Sequence, residues 1–143
     1  MRKLFASAVM MGLVCSPVFG QSPCASALTG AEILTLLSPG NSIYACGTSG
    51  TEKWNETLKL PNLVEDFKLG APPDPSAIVG TFNVTGGSST GVITYDYGPG
   101  AVFSYNISRS NYPTVPSTYV FCQISPSPGT NYNIAVSVGH GAC

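Results

Sequence analysis

The carboxylates, one histidine, a set of tyrosines and five cysteines are the residues of this 143-residue chain that could carry chemistry. Trp54, Glu56 and Glu65 could converge on an interior, where two carboxylates flanking a sugar would act as a glycosidase pair. Glu32, Glu56, Glu65 and Asp66 read equally well as residues of solvated edges. His140 is the only histidine, and it lies between two glycines near the last cysteine. A Ser-His-Asp hydrolase would have to use it, yet no Gly-x-Ser-x-Gly elbow occurs. An exposed tail histidine is the plainer reading. No Cys-x-x-Cys spacing accompanies it, so no metal site is expected. The chain is read as not an enzyme and as needing no cofactor.

Tyrosine is the richest feature. Tyr95, Tyr97, Tyr105, Tyr112, Tyr119 and Tyr132 all fall in alternating runs or the loops beside them. Aromatic residues on strand faces fill cores with their hydroxyls at the rim. They also build binding surfaces, because tyrosine gives contact area at little entropic cost. Phe82, Ile93, Tyr95, Phe103 and Tyr105 mark where a small apolar ligand would sit, with Trp54 as core or as a stacking platform at its mouth.

The residues that must position these groups are strands. Residues 78–107 contain three apolar-alternating runs separated by Gly86-Gly87 and Gly98-Pro99-Gly100. Period-two alternation of apolar against hydroxyl or amide residues marks a half-buried antiparallel sheet. Connections this tight make the runs antiparallel neighbours. Ile78, Gly80, Phe82 and Val84 share one face of the first run, Ile93, Tyr95 and Tyr97 one face of the second, and Ala101, Phe103, Tyr105 and Ile107 one face of the third. Further strands are expected at 42–46, 54–60, 63–69, 117–124 and 131–138, with Leu63 and Glu65 on one face and Ile134, Val136 and Val138 inward. Thr29 with Glu32 three residues later forms a capping box, and Leu28 with Ile33 a hydrophobic staple, for a short helix ended by Pro39-Gly40. The expected fold is all-β: an antiparallel meander of about eight strands in a barrel or sandwich, with one short N-terminal helix.

Arg2 and Lys3, the apolar run 4–14 and Val18-Phe19-Gly20 form a secretory signal peptide over residues 1–20, leaving 21–143 as a single domain. No second apolar run is long enough for a membrane span. Beyond the leader, four basic and seven acidic side chains give a net charge of −3. No basic patch exists for nucleic acid. Cys24, Cys46, Cys122 and Cys143 remain, an even number in an exported chain, and they are expected to pair as disulfides. Of three connectivities, Cys24–Cys46 with Cys122–Cys143 is favoured, since each pair brackets one local unit. The expected location is secreted or periplasmic. Asn55, Asn83 and Asn106 begin glycosylation-type triplets.

The pattern LTGAEILTLLSPGNSIYA, followed by strands and then IVGTFNVTG, resembles small exported bacterial proteins of uncharacterised function. These in turn resemble the calycin class of β-barrels, which includes lipocalins and avidins. The resemblance spans most of the chain beyond the leader. It differs from lipocalins in placing Gly80-Thr81-Phe82 mid-chain, with Phe where they have Trp near the first strand. It implies a barrel, and fold alone does not fix function. The expected role is non-enzymatic binding, outside the cytoplasm, of a small apolar ligand or a protein partner. Two other roles are carried forward. One is a structural or adhesion subunit, suggested by the low charge (9% of residues) and a Ser/Thr/Asn/Gly surface. The other is an inhibitor of secreted hydrolases acting through Gln21-Ser22-Pro23.

Overall fold

The computed structural model describes residues 24–37, 42–49, 52–66 and 77–139, without the side chains of 42–49 and 52–54. The leader, Gln21-Ser22-Pro23, the loop 70–76, His140, Cys143 and the Trp54 side chain lie outside the described residues. The elements are α1 (Gly30–Leu37), β1 (Ser42–Ser49), β2 (Glu52–Lys59), β3 (Leu63–Asp66), β4 (Ala77–Thr85), β5 (Val92–Asp96), β6 (Val102–Ile107), β7 (Ser117–Ser125) and β8 (Asn131–Val138). A 3₁₀ turn, Arg109–Asn111, lies between β6 and β7. Every strand pairs antiparallel with its sequence neighbour, and β8 pairs with β1. The sheet is therefore a closed up-and-down barrel and not a two-sheet sandwich. Eight strands enclose a space that side chains can fill, or that can hold one small ligand.

The meander formed by β4, β5 and β6 has the registers that period-two alternation demands. Phe82 pairs with Tyr95 and Val84 with Ile93. Tyr95 pairs with Phe103 and Ile93 with Tyr105. All six side chains point to the barrel axis. On the outer face the hydroxyls of Thr94 and Ser104 share a hydrogen bond of 2.8 Å.

Two irregularities move residues off their expected faces. Val64 pairs with Gly80 but Glu65 pairs with Ile78, so Val79 is an extra residue on β4. The bulge turns Ile78 outward, 52% exposed, away from the face it would share with Phe82. On β3 the inward residue is Val64, paired with Leu58, whereas Glu65 pairs with Thr57 on the outer face. A second bulge leaves Ile124 between Gln123, opposite Tyr105, and Ser125, opposite Ser104. Three end effects also correct the expectation. β1 runs on to Ser49. Leu60 falls in a turn and Val138 in the last position of β8, and both are about half exposed.

The helix closes one end of the barrel, the end that carries the β4–β5 turn. Thr29 and Glu32 make the capping box: the Thr29 amide donates to Glu32 Oε2 at 2.8 Å and the Glu32 amide to Thr29 Oγ1 at 3.2 Å. Leu28, Ile33, Leu36 and Leu37 are at most 2% exposed and join one core with Leu58, Val64, Ile93, Ile107, Tyr119 and Val136. The backbone approach is close. A Cβ on Gly91 would lie 2.6 Å from the Gly30 amide nitrogen, so only glycine lets α1 sit so near the turn.

The segment leading into α1 lies across the rim. The Leu28 amide donates to Ile107 O, the Arg109 amide to Ser26 O and the Gly91 amide to Leu28 O, all within 2.9 Å. Arg109 holds Glu32 in a two-pronged ion pair of 2.5 and 2.6 Å. The loop that follows is fastened to the same end. Tyr112 and Val115 pack against the core, and the Tyr119 hydroxyl donates to Thr114 O at 2.5 Å.

Cys24 and Cys122 form a disulfide with a Cα–Cα distance of 6.2 Å across 98 residues of sequence. This overturns the local pairing Cys24–Cys46 with Cys122–Cys143. Cys122 pairs with Asn106 on the outer face of the barrel, where the lead segment passes. The bond joins neighbours in space that sequence proximity does not reveal. Cys46 lies in β1 opposite Ala135 and Asn55.

Peptide mapping by mass spectrometry without reduction is expected to recover a Cys24–Cys122 linked peptide, and Cys122→Ser to cost about 2–4 kcal/mol in chemical denaturation. A second outcome concerns acid. Arg109, then Thr29, hold the Glu32 carboxyl at about 2, below its ordinary 4.5. A carboxyl lowered in the folded state adds stability above its unfolded value and loses it as the pH falls. Circular-dichroism melts between pH 4.5 and pH 2 should show a loss of melting temperature that is reduced in Glu32→Gln.

A candidate binding site at the barrel end away from the helix

The barrel interior has two halves of different chemistry. Near α1 it is mainly aliphatic, with Tyr119 among the aliphatic side chains, and largely buried. Phe82 and Phe121, 4% and 3% exposed, form a floor across the middle. Beyond that floor the inward positions are Glu56 on β2, Asp66 on β3, Tyr95 and Tyr97 at the end of β5, Phe103 and Tyr105 on β6, Gln123 on β7 and Tyr132 on β8. Glu56 and Asp66 are directly opposite one another across β2 and β3. Gln123 is opposite Tyr105.

The rings form a connected wall. Tyr95 and Tyr97 are parallel and offset, with centroids 6.1 Å apart. Tyr105 meets Tyr95 edge-on at 5.9 Å and Tyr132 edge-on at 6.0 Å. Phe103 tilts against Tyr97 at 6.2 Å. These are the offset and edge-to-face arrangements that ring quadrupoles favour. Tyr97, Phe103, Tyr105 and Tyr132 are all partly exposed, in contrast to the sealed helix end. Gly80 makes room for one of them. A Cβ there would lie 2.4 Å from Asp96 O and 3.1 Å from the Tyr97 ring.

One carboxylate reaches into this wall. The Tyr97 hydroxyl donates to Glu56 Oε1 at 2.6 Å. Burial, the largest effect, pushes the Glu56 carboxyl above its ordinary value; the nearby Asp66 charge adds to this and the Tyr97 hydrogen bond opposes it. Burial and the Glu56 charge also push the Tyr95 and Tyr97 hydroxyls well up. Tyr105 is pushed up to about 12, first by burial. The phenols are therefore neutral at any physiological pH and serve as donors and ring faces.

Of the residues singled out from sequence, Tyr95, Phe103 and Tyr105 come together in this wall. Phe82 and Ile93 lie deeper, as floor and core. The Trp54 backbone is on β2 opposite Gly47, two residues from Glu56. The paired-carboxylate reading with Glu56 and Glu65 does not hold. Glu65 is on the outer face, where its Oε2 lies 2.7 Å from Lys59 Nζ. Sequence reasoning passed over Asp66, Gln123 and Tyr132 as site residues. The Tyr119, Phe121, Gln123 alternation carried a signal for one of them. Of the three glycosylation-type asparagines, Asn55 is buried and Asn106 donates its amide to Gly91 O at 2.7 Å, leaving Asn83 exposed.

Among the described residues no group of three or more side chains could hold a metal ion, and no helix is long and apolar enough to cross a membrane. Comparison with family models, curated proteins and solved structures finds no match to the chain.

The raised Glu56 carboxyl has a cost. As pH rises past the ordinary value of 4.5 the unfolded chain ionises first, so the folded state loses stability until the pH passes the raised folded value. Glu56→Gln should therefore melt higher than the wild type at pH 7, with the gain shrinking toward pH 4. Differential scanning calorimetry at the two pH values checks this.

Proposed function

We propose that the chain is a non-enzymatic binding protein that takes a small ligand with an apolar body into the barrel end away from α1. The division of the interior carries this reading. One half is closed by the helix and packed with mainly aliphatic side chains, and the other presents partly exposed rings around a few polar groups. Binding sites are typically concave, mostly apolar and supplied with a small number of placed polar atoms. A barrel of this kind is what the calycin-like resemblance implies. The Cys24–Cys122 disulfide supports export to an oxidising compartment, outside the cytoplasm.

The closed ladder favours this reading over an assembly subunit. Partners that add a strand need a sheet edge with unpaired amides and carbonyls. All eight strands have two neighbours. A hydrolase inhibitor acting through Gln21-Ser22-Pro23 would use residues outside those described.

The test uses the neutral fluorescent probe N-phenyl-1-naphthylamine and backbone NMR on the full exported chain. Saturable binding at one site is expected, with the amide shifts confined to the neighbourhood of Tyr95, Phe103, Tyr105 and Gln123. Absence of saturation, or shifts spread over the outer strand faces, would remove the reading.

A further inference from the structure

Among the described residues, the four cysteines beyond the leader make one bond, Cys24–Cys122. We propose that Cys46 and Cys143 form a second disulfide, which folds the residues after β8 back across the outer side of β1 and β2.

Three observations carry it. The first is what the Cys24–Cys122 bond leaves over. Of the four cysteines beyond the leader, it leaves Cys46 with Cys143 alone as a partner. In an exported chain an even set of cysteines is ordinarily closed into bonds.

The second is reach. Cys46 lies in the register row of Ala135 and Asn55, both outer-face residues. Val138 ends β8 opposite Ile43, and Cys143 follows five residues later. Five residues span up to about 17 Å. The way back from Val138 to Cys46 is three residues along the seam and one strand across, about 11 Å. The chain also bends where this path begins. Gly139 has a φ of 111°, which leaves the strand direction and which a side chain would oppose.

The third is a patch of the outer face that is shut off from water. Outward residues elsewhere on the barrel, such as Thr81, Asn83, Thr85 and Asp96, are exposed. On β2 the outward residues Asn55 and Thr57 are 3% and 0% exposed. The described elements outside the sheet, α1 and the 3₁₀ turn, pack on β4 and β5 and on β7. Thr57 Oγ1 has no hydrogen-bond partner among the described residues, although a buried hydroxyl is ordinarily satisfied. A backbone laid across β2 covers this hydroxyl and offers it a carbonyl. Residues folded back from β8 over β1 arrive at this patch, because Asn55 is the next residue in the row of Cys46.

The bond forms by exchange with the disulfide of an oxidant, protein or small molecule. One cysteine thiolate attacks that disulfide, and the second thiolate displaces the oxidant's sulfur from the mixed disulfide. The Sγ–Sγ bond forms, the oxidant's disulfide is reduced to two thiols, and the protons of Cys46 and Cys143 end on its sulfurs. The product staples β1 to the chain just beyond β8, across the one seam whose strands are not neighbours in sequence.

Trypsin cannot test this, since residues 21–53 hold both Cys24 and Cys46 and residues 110–143 both Cys122 and Cys143. Chymotrypsin cleaves after Tyr44, Phe121 and Tyr132 and so separates all four. Mass spectrometry of the full exported chain, digested without reduction, should show the Cys46 peptide joined to the Cys143 peptide, two hydrogens lighter than the pair apart. The denatured, unreduced wild type should take up no iodoacetamide, and Cys143→Ser one equivalent, on Cys46. Backbone NMR of Cys143→Ser should show the amides of Asn55 and Thr57 shifted. Alkylation of both Cys46 and Cys143 in the unreduced wild type overturns the proposal. So does a Cys46 peptide joined to a second Cys46 peptide or to that of Cys24 or Cys122. A Cys46–Cys143 link with Asn55 and Thr57 unmoved in the variant overturns the path across β2. Should Cys143→Ser not fold, the wild-type digest decides alone.

Discussion

The docking of α1 into one end of the barrel is the contact on which the rest of the molecule depends. Four aliphatic side chains, Leu28, Ile33, Leu36 and Leu37, leave water there. At about 1.5–3 kcal/mol each, their burial is among the largest favourable contributions in a domain of this size. An isolated two-turn helix would not persist in water. Its cap, its ion pair to Arg109 and the glycine contact at Gly91 all orient it, but the apolar face holds it. Without the helix, the inward faces of β4, β5 and β6 would line an unsealed tube.

With one end sealed, the other is free to be chemically different. The aliphatic half supplies cohesion, so the aromatic half can carry a carboxylate whose burial works against folding. Glu56 has a neutral donor in Tyr97 and a like charge in Asp66, which is a poor arrangement for stability alone. Groups held in such unfavourable surroundings concentrate where a protein meets its ligand. Gly80 fits the same picture. It removes a side chain from the middle of a strand, at a cost to that strand, so that the Tyr97 ring can stand beside it.

Much of this was legible in the sequence, and the omissions have physical causes. Alternation in 78–107 placed Phe82, Ile93, Tyr95, Phe103 and Tyr105 on inward faces because a strand has a fixed period of two. The capping box at Thr29 and Glu32 was legible because its reach is local. Period-two reading fails at a bulge, and Ile78 changed faces for that reason. The same reading set Glu65 inward, whereas pairing with β2 puts Val64 there. The approach of Asp66 to Glu56 is a matter of register between two strands, which neither strand encodes alone. The Cys24–Cys122 bond was hidden because its partners are neighbours only after the lead segment crosses the rim.

That bond also bears on how the chain reaches its folded state. Seven of the eight seams join strands adjacent in sequence, and only the seam between β8 and β1 spans most of the domain. Hairpin seams close short loops and form early, whereas a contact between distant segments must first overcome the entropy of a long loop. The Cys24–Cys122 bond and the last seam enclose overlapping stretches of chain. Whichever forms first shortens the loop that the other must close. Cylinder closure and oxidation are thus two routes to one event, and a chain that meets an oxidant before β1 finds β8 arrives at the same topology from the other side.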